Sequence, residues 1–273
     1  MTTRTTDVAT FPTHEDRFRL DGRTVFLSGA AGHLGRAMAI GFAQAGAHVI
    51  LNGRTASKLQ EFADELAAAG HSASIAAFDV MDRDAANAFL GGLDRLDVLV
   101  NNAITGLGPS ASSSLEAFRA MVDSGLIASQ DNVTNALPAL EAAVAATGSA
   151  SIINITSIWA HVSPTPSLYE GTGRLTPPQY AATKGGLLQL TRYLAVQLAP
   201  KKIRVNSLSP GIFPWDDITN NEPDFVERIS QGSPMRRLGE ACELTGPAVF
   251  LASDASTYMT GADLLIDGGW TAW

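Results

Sequence analysis

The feature that most constrains this chain is an alternation of two hydrophobic patterns from about residue 18 onward. Short apolar runs come first: TVFLSGA at 24–30, HVILN at 48–52, SASIAAFDV at 72–80 and LDVLVNNA at 96–103. SASIINITS at 149–157, KIRVNSLSP at 202–210 and DLLIDGG at 263–269 complete the set. Each run has strand length and is bounded by glycine or polar residues. Helix-period stretches fall between them, at 35–46, 57–69, 115–146, 179–199 and 241–252. Pro138 is read as lying near a turn boundary within 115–146. Strands that alternate with helices build right-handed βαβ units. The chain is therefore expected to be α/β, with a doubly wound parallel sheet of seven strands and helices on both faces. No second periodic block and no internal repeat is present. Residues 18–273 are read as a single domain, and residues 1–17 as a flexible, polar N-terminal arm. One long Pro/Gly/Ser/Thr-rich loop is expected at 162–179.

Bulk properties narrow the function. The 273 residues carry a net charge of −8 and no basic run, which argues against a nucleic-acid partner. A single cysteine, Cys242, excludes an internal disulfide. The N-terminus lacks the apolar core of a signal peptide. No apolar stretch approaches the roughly 18 residues of a membrane helix. The location expected is cytoplasmic, with no membrane partner.

The turn SGAAGHLGRA joins the first strand to the first helix and carries Gly29, Gly32 and Gly35. Glycines there let backbone pass close to a pyrophosphate resting on the helix N-terminus. The same glycines would also serve a tight strand–helix packing. At the end of the second strand a site for NAD places a carboxylate for the ribose hydroxyls. This chain reads Asn52-Gly53-Arg54-Thr55 instead. Arg54 offers a fork of donors for a 2′-phosphate, unless it is only a solvated loop charge. NADP(H) is the favoured cofactor and NAD(H) the alternative; Arg36 is a further candidate donor. Asp79-Val80 ends the third strand and Asn101-Asn102-Ala103 the fourth; they would line the crevice at the carboxyl edge of the sheet, unless they are polar groups that cap loops.

Tyr180 and Lys184 are one helical turn apart at the start of a helix, on one face. Alone, such a pair is a half-buried phenol beside a snorkelling lysine. In this order, however, the motifs are specific. The chain from about Phe18 to its end resembles the single-domain short-chain dehydrogenases/reductases. The resemblance rests on SGAAGHLG, Asp79, NNA at 101–103, INITS at 153–157, YAATK at 180–184, NSLSPG at 206–211 and TGADLLIDGG at 260–269. The tail DGGWTAW resembles the sugar- and sugar-acid-directed branches, such as gluconate 5-dehydrogenase-like proteins.

The resemblance implies a Rossmann-type fold and a homotetramer. It implies Tyr180 as general acid/base, Lys184 as its tuner and Ser157 as the anchor of a carbonyl oxygen. Cofactor contacts would come from Gly29, Gly32, His33, Leu34, Gly35, Arg54, Asp79, Val80, Asn102, Ala103, Tyr180, Lys184, Pro210, Gly211 and Ile212. The reaction implied interconverts a secondary alcohol and a ketone on a small molecule: a sugar, polyol or sugar acid. Two alternatives stand beside it. One is a reductase of 3-oxoacyl thioesters or hydrophobic ketones, for which Arg236-Arg237 is the only basic candidate near the entrance. The other is a dinucleotide-binding regulatory protein without catalysis.

Three departures from the family pattern stand out. His33 occupies a position where many relatives have glycine. Gly125 falls where a relay asparagine is usual. Ile212-Phe213-Pro214-Trp215 follows Pro210-Gly211 where a threonine is usual. Ser157 and Tyr180 are also 23 apart, because a long loop carries Trp159, His161, Tyr169, Glu170 and Arg174 between them. That loop must lie beside the site, as substrate wall, lid or subunit contact. His161 has no second ligand at metal spacing, so no metal is expected. Residues 220–237 are read as a mobile flap. Trp270 and Trp273 are read as interface residues.

Overall fold

All seven runs read as strands pair in parallel, in the spatial order β3-β2-β1-β4-β5-β6-β7. The structure is a computed structural model that describes residues 11–107, 112–172, 176–214 and 222–273. Residues 1–10 of the arm, Arg174, Trp215 and the first two residues of the expected flap lie outside the described residues. The strands are β1 (Thr24–Leu27), β2 (His48–Gly53), β3 (Ser72–Ala77), β4 (Val98–Asn101), β5 (Ala150–Ile155), β6 (Ile203–Pro210) and β7 (Asp263–Ile266). The helices are α1 (His14–Phe18), α2 (His33–Gln44), α3 (Ala56–Ala68), α4 (Arg83–Leu90), α5 (Leu115–Val122), α6 (Ala128–Thr147), α7 (Pro178–Leu198), α8 (Pro223–Ser230) and α9 (Thr245–Ala252).

Strand alternation sends neighbouring side chains to opposite faces. Val25 and Leu27 join Met38, Phe42, Val49, Leu51, Leu59 and Phe62 under α2 and α3. Phe26 points the other way and joins Leu99, Leu140, Ile152, Leu194 and Val205 under α6 and α7. A sheet covered on both faces needs strands apolar on both sides, which is why these runs read so clearly in the sequence. The order reverses between β1 and β4. That switch opens a crevice at the carboxyl ends of the two strands.

The structure corrects several boundaries. The polar arm of residues 1–17 contains part of α1, which Thr13 caps by accepting from the Asp16 amide. β3 ends at Ala77, so Asp79 and Val80 lie beyond the strand. α4 was not anticipated; Asp82 starts it, its side chain accepting from the Ala85 amide. Pro138 lies inside α6 rather than at a boundary. It sits on the exposed side, as does Thr134, whose carbonyl the proline cannot serve and water can. A π-helical turn, Asp123–Ile127, joins α5 to α6. The loop expected at 162–179 contains a 3₁₀ turn, Pro166–Tyr169, and yields to α7 at Pro178. Among the described residues no helix is long and apolar enough to cross a membrane.

A buried chain of amides crosses this fold on the α6/α7 side. Asn132 donates to Asn101 at 3.0 Å, Asn101 to Asn154 at 2.9 Å, and Asn154 to Thr191 at 2.9 Å. It links α6, β4, β5 and α7. Asn101 therefore belongs to the interior and not to the crevice. Removing a middle member leaves buried partners unpaired, at roughly 1–3 kcal/mol per group. Asn154→Ala should lower unfolding free energy by about 3 kcal/mol, measured by urea denaturation; a loss below about 1 kcal/mol would mean that the chain is energetically slack.

Candidate active site

The glycine turn is held by groups from both sides of the switch point. Asn102 Nδ2 donates to the Ser28 carbonyl at 2.9 Å and to the Gly29 carbonyl at 3.2 Å. Ser28 Oγ accepts from the amides of Asn102 and Ala103 at 2.9 and 3.0 Å. Gly29 has φ +67°, and a β-carbon there would press on Asn102 and Ala103. A β-carbon at Gly35 would run into the Gly29 carbonyl oxygen. His33 is tolerated because α2 begins there, with Gly32 as its N-cap. No acidic residue stands in the first turn of α2. The positive helix end thus faces a cleft suited to an anion.

That cleft has a volume of about 850 Å³. Gly29, Gly32, His33, Leu34, Gly35, Arg54, Asp79, Val80, Asn102, Ala103, Pro210 and Gly211 line it, together with Ser157, Tyr180 and Lys184. Of the residues expected in it, Ile212 alone lines a neighbouring cavity of about 320 Å³ instead. Phe213 borders both.

Three residues at the ribose end were missed or misjudged in the sequence. Lys58, in the first turn of α3, lines the cleft close in sequence to Arg54. Neither side chain has a hydrogen-bond or ion-pair partner among the described residues. Asn52 is buried at the end of β2, where its Nδ2 donates to the Ala76 and Phe78 carbonyls. Its Oδ1 is buried without a partner in the wall of the cleft. Arg36, by contrast, is committed: it pairs with Glu65 and lies 4.1 Å over the Phe62 ring. An unpartnered lysine cannot be told from a solvated one by sequence; the signal was only its place one turn after Arg54.

At the other end, β5 delivers Ser157 and α7 delivers Tyr180 and Lys184. Pro177 and Pro178 set the start of α7, a position proline tolerates because its missing N–H would be unpaired anyway. Ser157 Oγ accepts from the Trp159 amide at 3.2 Å, which leaves its O–H to donate. Lys184 Nζ donates to the Ile155 carbonyl at 2.5 Å and lies 5.8 Å from the centre of the Tyr180 ring. Burial brings the Lys184 ammonium down to about 7. Burial also pushes the Tyr180 phenol up, against a hydrogen bond from Ser157, while Tyr169 raises it further. In the cofactor-free protein desolvation therefore dominates at both groups.

The long loop after Ser157 and the segment after β6 close over Tyr180 together. Trp159 meets Trp270 edge-on at 5.8 Å, and Tyr169 meets Phe225 of α8 at 6.1 Å. Arg228 donates to the Glu170 carbonyl at 2.5 Å. The Tyr169 hydroxyl bonds Thr176 at 2.5 Å. Trp270 is half-buried against Trp159 of its own chain, and Trp273 is exposed. His161 bonds Asp263 of β7 at 2.9 Å. Arg237 is tied to Glu243, and Arg236 to Gln231.

Comparison with known proteins agrees with this geometry. A family model described as enoyl-(acyl carrier protein) reductase matches residues 29–271. The chain belongs to the short-chain dehydrogenase/reductase family. It is 32% identical over 266 residues to gluconate 5-dehydrogenase of Gluconobacter oxydans (strain 621H), covering 94% of this chain and 98% of the relative. It is 33% identical over 261 residues to galactitol 2-dehydrogenase (L-tagatose-forming) of Cereibacter sphaeroides, covering 94% and 98%. Among solved structures, a gluconate 5-dehydrogenase from Burkholderia cenocepacia J2315 in complex with NADP and tartrate superposes with a TM-score of 0.82. It shares 30% identity, over 96% of this chain and all of that one. This short-chain dehydrogenase/reductase is an oxidoreductase that acts on a small molecule with a nicotinamide dinucleotide.

The buried lysine has a thermodynamic signature. Its folded value near 7 lies below its ordinary 10.5, so between these values the unfolded chain binds more protons and stability rises with pH. Replacing it with methionine removes that cost. Lys184→Met should raise the melting temperature of the cofactor-free protein more at pH 6 than at pH 9.5. An equal shift at both would show that Lys184 is not desolvated.

Proposed function

We propose that the protein is an NADP(H)-dependent dehydrogenase that interconverts a secondary alcohol and a ketone on a sugar, polyol or sugar acid. The observation that carries the reading is a single cleft with two chemically different ends. Ser157, Tyr180 and Lys184 line one; the unpartnered Arg54 and Lys58 line the other. Two free cations suit a 2′-phosphate. Asn52 Oδ1 offers an acceptor beside them, where an acidic residue would have favoured NAD. The substrate class is supported by the relatives named for gluconate and galactitol.

The bound nicotinamide supplies or receives the hydride. In reduction, Ser157 donates a hydrogen bond to the substrate oxygen as negative charge develops on it. As hydride reaches the carbonyl carbon, the C=O π bond opens and the oxygen takes the Tyr180 proton. Burial keeps that phenol protonated until it is needed. Lys184 exchanges protons near neutral pH from one turn away and so can restore the phenol. Oxidation reverses each transfer.

The 3-oxoacyl thioester alternative loses support, because Arg236 and Arg237 are engaged by Gln231 and Glu243 and are not free for a carrier phosphate. Against a catalytically silent binding protein stands the grouping of buried Ser157 and Lys184 with half-buried Tyr180 in one cleft. Homotetramer formation belongs to the same proposal; exposed apolar Tyr193 and Val196 on α7 and Leu265 on β7 support it.

The deciding experiment follows NADPH absorbance across gluconate, polyols, hydrophobic alcohols and their ketones. Turnover should be confined to the polyhydroxylated class. Tyr180→Phe should lower kcat by roughly 100- to 10,000-fold while NADPH affinity, read by fluorescence, is nearly unchanged. Retained activity would remove Tyr180 from the chemistry. Arg54→Ala and Lys58→Ala should each weaken NADPH by about tenfold or more and leave NADH unaffected. Equal losses for both cofactors would refute a 2′-phosphate site.

A further inference from the structure

The start of α7 rests on more than the sheet. It packs against the π-helical turn, and at the contact Gly125 faces Thr183. A β-carbon at Gly125 would lie 2.7 Å from Thr183 Cγ2 and 3.2 Å from Ile104 Cδ1. Carbon atoms at their best separation are about 3.5–4.0 Å apart. Gly125 and Thr183 are both buried, Thr183 completely. Thr183 is β-branched and stiff at χ1, so its methyl does not withdraw easily. Its hydroxyl has no hydrogen-bond partner among the described residues. At position 125 the contact is thus made by the Thr183 methyl, while Leu126 of the same turn packs beside Gly186 of α7.

Position gives this contact its consequence. Thr183 directly precedes Lys184, whose Nζ reaches the Ile155 carbonyl at 2.5 Å, and Tyr180 lies one turn earlier. Anything that pushes Thr183 away from the turn moves both groups relative to Ser157. We propose that Gly125 and Thr183 are a matched pair that sets the seating of Tyr180 and Lys184, the threonine methyl occupying the space of a side chain at 125. Gly125 is then a positioning residue. An asparagine at 125 would need a smaller residue at 183. The inference rests on the catalytic reading of Tyr180 and Lys184 above.

The test is a double-mutant cycle with Gly125→Ala, Thr183→Ser and the pair. Thr183→Ser deletes the obstructing methyl and keeps the hydroxyl. Thr183→Val keeps the methyl and serves as control; Tyr180→Phe runs alongside. The probe is gluconate with NADP⁺, or the panel alcohol that wild type turns over fastest. Gly125→Ala should lower kcat roughly tenfold with NADPH affinity little changed. Thr183→Ser in the same chain should restore most of that loss, and Thr183→Val should restore none. Melting temperatures should follow the same pattern, which tests the contact without turnover and covers a Gly125→Ala chain that folds poorly. Wild-type kcat and melting in Gly125→Ala would overturn the pair. So would a loss that Thr183→Ser fails to restore, or that Thr183→Val restores equally. An active Tyr180→Phe enzyme would instead strike at the catalytic reading and leave the melting cycle to decide this one.

Discussion

The site depends on the seam between β1 and β4. Ser28 and Asn102 face each other across the point where strand order reverses, and each satisfies the other's backbone. Without the Asn102 amide, the Ser28 carbonyl would lose its side-chain donor and the Gly29 carbonyl would keep only the Gly32 amide. Without Ser28 Oγ, the backbone after β4 would have two orphan amides. This mutual satisfaction fixes the left-handed turn at Gly29, which in turn demands glycine at 35. The start of α2, the floor of the cleft and the exit of β4 are therefore one construction. An asparagine read as a ligand is chiefly the fastener that shapes the space for one.

The charged groups show a similar economy. Arg36, Arg236, Arg237 and His161 each have a partner in the protein, while Arg54 and Lys58 have none among the described residues. Since exposed ion pairs contribute little to stability, the distinction matters less for the fold than for what remains available to bind. At the catalytic end the logic is desolvation. Tyr180 and Lys184 are driven toward their neutral forms by the same burial, so the pair is poised to move protons and not to hold fixed charge.

Much of this was legible in the sequence because burial on both faces leaves a strong signature. All seven strands were found, as was the turn at 29–35; of the residues expected at the crevice Asn101 and Ile212 do not line it, and Lys58 lines it without having been expected. The failures have physical causes. α4 has eight residues and only Ala86 and Leu90 buried, too weak a stripe to see. Pro138 looked like a helix end because its tolerance depends on which face meets water. β3 was drawn too long since Phe78 is apolar yet lies past the last ladder pair. Partnership was invisible: the sequence does not say that Glu243 claims Arg237 or that none of the described residues claims Lys58. The desolvation of Lys184 and Tyr180 was equally hidden, because spacing reveals proximity and not burial.

The roof over Tyr180 is made by two segments more than fifty residues apart. Leu168 and Tyr169 of the first pack on Ile229 and Phe225 of the second, and Arg228 is fastened to the backbone at Glu170. The described buried apolar residues of both segments fall in one shared cluster. Their shape over the substrate is consequently a joint property. A change of preferred substrate, by selection or by design, has to rewrite both stretches in concert, and grafting either one alone from a relative would leave it without the surface that gives it form.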